Sequence, residues 1–195
     1  MFPRRIIRES KAAKRCIPAI LAALLCLLTA WQFFPVPVVA QELNEFEVRA
    51  AFLFNFLGFI EWPLQQTTLS ASELMIGSVG DSPLTEAFSQ NFRDEKILRR
   101  TVVIKKLSDP TQVGNFQVIY FSKNPEIQND PFFREARKYP VLTVGEGVEF
   151  LETGGIISFV SEKERIRFLV NQQAATKLGF KLSSKLLKLA KRVIN

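Results

Sequence analysis

Apolar and polar positions alternate along this chain in two different rhythms. Asn44 precedes a long apolar-rich stretch, and as an N-cap it predicts a helix to about Phe59, closed by Trp62-Pro63 because the residue before a proline is pushed out of the helical region. "LMIGSV" (74–79) is short, apolar and followed by "GDSP", which predicts a buried strand, a turn, Ser82 as cap and Pro83 as the first residue of a helix to about Asn91. "TVVIKKL" (101–107), "FQVIYFS" (116–122) and "PVLTVG" (140–145) predict three further strands, with a short helix over 131–139 before the last. "VEFLETGG" (148–155) predicts a brief helix ending at glycines. "IISFV" (156–160) and "RIRFLVN" (165–171), separated by "SEKE", predict a hairpin. A helix over 172–177 should stop at Gly179, and a last one from Ser183 or Ser184 carries Leu186, Leu187, Ala190, Val193 and Ile194 at helical spacing.

Strands alternating with helices predict an α/β domain whose mixed, mostly parallel sheet is covered on both faces, with the late hairpin as its antiparallel part. Within the first helix, Val48, Phe52, Phe56, Phe59 and Ile60 form one stripe, and Leu53, Phe54 and Leu57 fall off it. That arc is wider than one core-facing stripe requires. Two explanations stand: a fully packed core helix, or one side on the sheet and another on a second chain. Phe52, Phe56, Phe59 and Trp62 are the candidates for such a partner or dimer interface. The run between Arg49 and Glu61, interrupted by Asn55, is too short for a hydrocarbon core of ~30 Å at ~1.5 Å per residue.

Charge changes the picture only at the N-terminus. Six Lys/Arg residues between Arg4 and Arg15 precede the apolar run from Ile20 to Trp31, and Val38-Val39-Ala40 offers small residues before Gln41. This is the pattern of a secretory signal peptide over 1–40, cleaved after Ala40, with the functional domain over 41–195; the competing reading is a retained anchor. Of the 26 basic and 19 acidic residues the leader holds six and one, leaving 20 and 18, so the remainder is near +2 and nucleic acid is not an expected partner. Both cysteines, Cys16 and Cys26, lie in the leader, and the chain has no histidine. Disulfides, thiolate or imidazole nucleophiles and the usual zinc ligands are therefore not expected in the mature chain, nor is any metal or cofactor.

Few residues remain for chemistry. The turn around Gly80, Asp81 and Ser82 points N–H groups outward and could take an anion, although "GSVGDSP" lacks the spacing of a phosphate loop. "GEGVEF" (145–150) begins like a dinucleotide fingerprint but has Phe150 in place of the third glycine. Glu146 with Glu149, or Glu162 with Glu164, could serve as paired carboxylates, and exposed charge is the simpler explanation. Arg165 and Arg167 share one strand face; at a sheet margin they could bind a carboxylate or phosphate. No catalytic residue is assigned.

Three segments in order, "RAAFLFNFLGFIEWP" (49–63), "GSVGDSPL" (77–84) and "GGIISFV…RIRFLVNQQAATKLGFKLSSKLLKLA" (154–190), resemble the YfiR family of periplasmic regulators. Trp62-Pro63, the segment from Arg167 to Asn171 and the helix start at Ser183-Ser184 are the most specific parts of the likeness. The resemblance implies a non-enzymatic repressor that binds the periplasmic sensor region of an inner-membrane diguanylate cyclase and lowers cyclic-di-GMP output. It also implies relief by an outer-membrane lipoprotein antagonist, and a homodimer is expected. Arg167 and Asn171 match the family segment and take a ligand or structural role. Relatives use cysteine pairs for redox control, which a mature chain without cysteine cannot do. The alternative is a periplasmic small-solute-binding protein with an anion clamp between residues 80–82 and Arg167.

Overall fold

Asn44 caps the first helix, α1 (Glu45–Leu57), through its side chain, which accepts from the Phe46 N–H at 3.2 Å. The Glu47 carboxylate accepts from the Asn44 N–H at 2.9 Å, completing a capping box that satisfies donors a helix start otherwise leaves unpaired. The computed structural model describes residues 44–195 apart from 65, 67–71, 81, 123–125 and 164. The leader expected over 1–40, and Asp81, lie outside these residues. Leu43–Asn195 form one compact unit.

The predicted strands and helices recur in order, joined by short strands that the pattern did not predict. The elements after α1 are β1 (Ile60–Glu61), β2 (Glu73–Val79), α2 (Pro83–Asn91), β3 (Lys96–Ile97), β4 (Arg100–Lys106), a 3₁₀ turn (Pro110–Asn115) and β5 (Val118–Phe121). After these come α3 (Pro131–Ala136), β6 (Leu142–Glu146), α4 (Val148–Glu152), β7 (Ile157–Glu162), β8 (Arg165–Asn171), α5 (Gln172–Lys177), β9 (Lys181–Leu182), α6 (Ser184–Leu189) and β10 (Arg192–Ile194). Ser82 caps α2 by accepting from the Leu84 N–H at 3.2 Å, with Pro83 next, as its sequence requires.

Eight strands form one mixed sheet in the order β10-β8-β7-β6-β5-β2-β4-β3, and β1 pairs with β9 in a separate two-stranded ribbon. The five central strands are parallel, β3 and β8 run against their inner neighbours, and β10 runs parallel to β8. From β2 the chain passes through α2 to β4 on one side. From β5 it passes through α3 and α4 to β6 and β7 on the other. Right-handed crossovers in opposite directions must use opposite faces, so α2 joins α1 on one face while α3 and α4 cover the other. The first face packs Leu74, Ile76, Val118, Val144 and Phe159 against α1 and α2, and the second packs Ile119 and Phe121 against Phe133 and Phe150.

Two expectations need correction. α6 ends at Leu189, and Val193 and Ile194 belong to β10, paired with Val170 and Asn171. Ala190 is already extended (φ −64°, ψ 138°), and the β-branched pair that follows fills an otherwise vacant sheet edge. The buried stripe of α1 is Ala50, Leu53, Phe56 and Leu57, rotated from the one that runs through Val48 and Phe52. Leu53 and Leu57 are fully buried; Phe52 is half-buried on the flank.

Phe56 is 2% exposed and meets Phe168 at 4.7 Å and Phe159 at 5.8 Å between ring centroids, with Phe52 stacked behind it at 5.9 Å. Phe56→Ala should therefore lower the unfolding free energy by about 3–5 kcal/mol, the cost of a cavity left by a buried ring. Urea denaturation at neutral pH measures it, and a loss below about 1 kcal/mol would contradict this packing.

Candidate functional site

In an open α/β sheet the place for a site is the crevice at the carboxyl ends of the strands, where the connections diverge. Here they diverge between β2 and β5, and polar residues gather at that end. Tyr120 is the third residue of β5 and Glu146 the last of β6, both on the face covered by α1. Gly147 follows with φ +87°, a conformation open mainly to glycine, which turns the chain sharply from β6 into α4.

Arg49 descends from the second turn of α1. Its Nη1 lies 3.0 Å from Glu146 Oε2, and its Nη2 pairs with Glu45 Oε1 one turn back along the helix. The Tyr120 hydroxyl donates to Glu146 Oε1, and the Ser161 hydroxyl on β7 donates to Glu45 Oε1 at 2.6 Å. The Phe46 ring flanks the guanidinium, 5.4 Å from centroid to Cζ. Arg49 is only 8% exposed, the Glu146 side chain 12%, and Tyr120 is fully buried. Burying such charges is costly unless they are paired and hydrogen-bonded, and both Glu146 oxygens are matched. Within this cluster Arg49 Nε is buried without a partner.

Burial pushes the Tyr120 hydroxyl well above the ordinary phenol range. The Glu146 charge and its hydrogen bond add to the rise, while a hydrogen bond with Ser82 and the Arg49 charge oppose it. Tyr120 thus acts as a locked proton donor to Glu146. Among the described residues no group of three His, Cys, Asp or Glu side chains could hold a metal ion, and no helix is long and apolar enough to cross a membrane.

The residues singled out from the sequence fall in different places. Ser82 caps α2 and reaches Tyr120, so it joins this cluster. Asn171 caps α5, accepting from the Ala174 N–H at 2.8 Å and donating to the Leu151 carbonyl at 3.4 Å. Arg167 lies exposed on β8, with β5, β6 and β7 between it and β2. Four strand spacings, about 19 Å, therefore separate it from Gly80 and Ser82 at the end of β2, too far for these and Arg167 to clamp one small anion. Phe56 is core. Phe59 is half-buried with the Lys185 ammonium 5.0 Å from its ring centroid, and Trp62 packs edge-on to Phe180 at 5.7 Å.

Sequence reasoning missed Arg49 and Tyr120, and it preferred exposed charge for Glu146, which instead bonds to these two residues. The available signals were an arginine four residues after Glu45 inside an apolar helix, and an acid closing an apolar strand. Because the Tyr120 pKa is raised on folding, the native state holds its proton more tightly than the unfolded chain. Its stabilisation is complete below the unfolded phenol value near 10 and declines above it, at up to about 1.4 kcal/mol per pH unit. Urea denaturation at stepped alkaline pH should show that decline, and Tyr120→Phe should remove this residue's share of it; identical slopes would refute the assignment.

Comparison with known proteins places this arrangement. A conserved domain protein from Vibrio cholerae, solved by crystallography, is 14% identical with a TM-score of 0.52, matched over 78% of this chain. This chain spans 61% of that protein's length, and the likeness is one of fold. An ABC domain in complex with L-Trp from Streptococcus pneumoniae is 13% identical with a TM-score of 0.45, over 66% of this chain and 57% of that one. No curated protein matches. The YfiR/HmsC-like family model matches residues 46–191, from the first turn of α1 to the start of β10, and so takes in Arg49, Tyr120 and Glu146. The chain belongs to the YfiR/HmsC-like family.

Proposed function

We propose that this chain is a periplasmic binding protein that holds an inner-membrane diguanylate cyclase inactive through contact with the cyclase's periplasmic sensor region. The observation that carries the reading is the state of Glu146. At the position where this sheet would offer a general base, Tyr120 and Arg49 occupy both carboxylate oxygens from within the chain. An acid–base catalyst needs a group within hydrogen-bonding reach of a substrate proton, and these groups are directed at one another. The cluster fastens α1 to the sheet, which suits a protein that acts by presenting a fixed surface. Family membership supports the same reading.

Inhibition then works by linkage: the regulator prefers the inactive conformation of the sensor, and a competitor for the regulator returns the population to the active one. An outer-membrane lipoprotein is the proposed competitor. Export by cleavage after Ala40 supplies the compartment. The aromatic segment that follows α1 supplies the proposed contact, through Phe59 and Trp62 with Phe52 along the helix flank, for the partner or for a homodimer. Phe56, buried beneath them, supports that surface without joining it.

Deleting the gene should raise cellular cyclic-di-GMP about fivefold or more, the low end of a typical coupling free energy, and restoring the wild-type gene should reverse it. An unchanged level rejects the cyclase as partner. Turnover of a metabolite by the purified chain rejects the non-catalytic role.

A further inference from the structure

The β7–β8 hairpin outruns its neighbours at the carboxyl end of the sheet. β6 stops opposite Phe159, so residues 160–162 of β7 extend past it. On the outer side β10 pairs only with Leu169, Val170 and Asn171, leaving residues 165–168 of β8 with no strand opposite among the described residues. The direction of the main chain can be read from its bonds. The Phe168 carbonyl accepts from the Lys191 N–H at 2.9 Å and so faces outward, whereas the Asn171 N–H donates inward to Ile156 at 2.8 Å. Antiparallel alternation turns the Ile166 N–H and carbonyl outward as well. A strand edge of this kind is a template for another strand.

The two faces of that edge differ in chemistry. Ile166 and Phe168 point toward α1, where Val48, Phe52 and Ile166 help to line a hollow of about 620 Å³ whose lining also includes Glu45, Arg165 and Arg167. Arg165 and Arg167 alternate with these residues along β8; both are exposed, and no ion pair among the described residues holds either. We propose that the free edge of β8, residues 165–168, takes up an extended segment of the protein partner as an added strand. The added strand places acidic side chains against Arg165 and Arg167 and apolar ones in the hollow beside Val48 and Phe52. Main-chain bonds supply attachment and the alternating side chains supply selectivity. A second copy is a poor occupant, because two β8 edges related by a twofold axis would set four guanidinium groups on one face, and like charges on facing strands repel. The inference rests on the reading of the chain as a regulatory binding protein and adds the partner's chemistry to it.

The test uses a capped peptide of alternating glutamate and valine, with amide hydrogen exchange of the purified chain as readout. At about ten times its dissociation constant the peptide should slow exchange at Ile166 and Phe168 about tenfold. A lysine–valine peptide should leave it unchanged, and Arg165→Glu/Arg167→Glu should abolish the slowing by the acidic peptide while melting like wild type. Unchanged exchange at millimolar peptide, or equal slowing by the lysine peptide, overturns the proposal. So does protection that grows with protein concentration alone, which would mark a second copy on the edge. Cyclic-di-GMP in the deletion strain is measured independently, so failure of the strand proposal and failure of the regulatory reading are separable.

Discussion

A guanidinium and a carboxylate can lie buried together only when nearly every donor and acceptor they carry is matched, and Arg49 and Glu146 meet that demand from separate parts of the fold. Glu45 comes from α1, Tyr120 from β5, Glu146 from β6 and Ser161 from β7, so the network draws one helix and three strands to a common point. A purely apolar helix could slide or turn on the sheet at small cost, because hydrophobic contact has little directional preference. The ion pair removes that freedom. It sets the rotation that buries Leu53 and Leu57 and leaves Val48 and Phe52 on the flank, beside the β7–β8 hairpin.

Local chemistry explains why so much of the chain could be read in advance. Asn44, Ser82 with Pro83, and Asn171 each cap a helix with their own side chains, and these signals lie within three residues of the helix start. The central strands are buried on both faces and read as continuous apolar runs. The candidate site was far less legible. Arg49 and Glu146 lie almost a hundred positions apart in sequence, and nothing local joins an arginine within an apolar helix to a glutamate closing a later strand. The C-terminal error has a similar origin. Val193 and Ile194 sit at helical spacing from Leu186, and pairing with β8, a contact distant in sequence, decides that they form a strand.

The crossover pattern explains where polarity collects. Since α2 lies on one face and α3 and α4 on the other, the connections leave β2 and β5 in opposite directions, and among the described residues neither α2, α3 nor α4 closes the carboxyl end between them. Many α/β proteins place a ligand at that opening. In this chain α1, which enters from before the first central strand, lies across it with Arg49, and Ser82 and Tyr120 close the floor. A fold-level argument alone would have placed a ligand there, and the residues argue instead for an internal fastening.

Regulation by contact requires a surface that is firm in one part and responsive in another, and the network divides in that way. The Arg49–Glu146–Tyr120 part is withdrawn from water, so breaking it would leave an uncompensated buried charge. The Ser161–Glu45 bond, which joins the hairpin to the start of α1, is exposed, and water can replace either partner at little cost. A segment docking on the hairpin would meet an edge joined to the first turn of α1 by an exposed bond, and any change there would reach α1 through the contact with Glu45 before it reached the core.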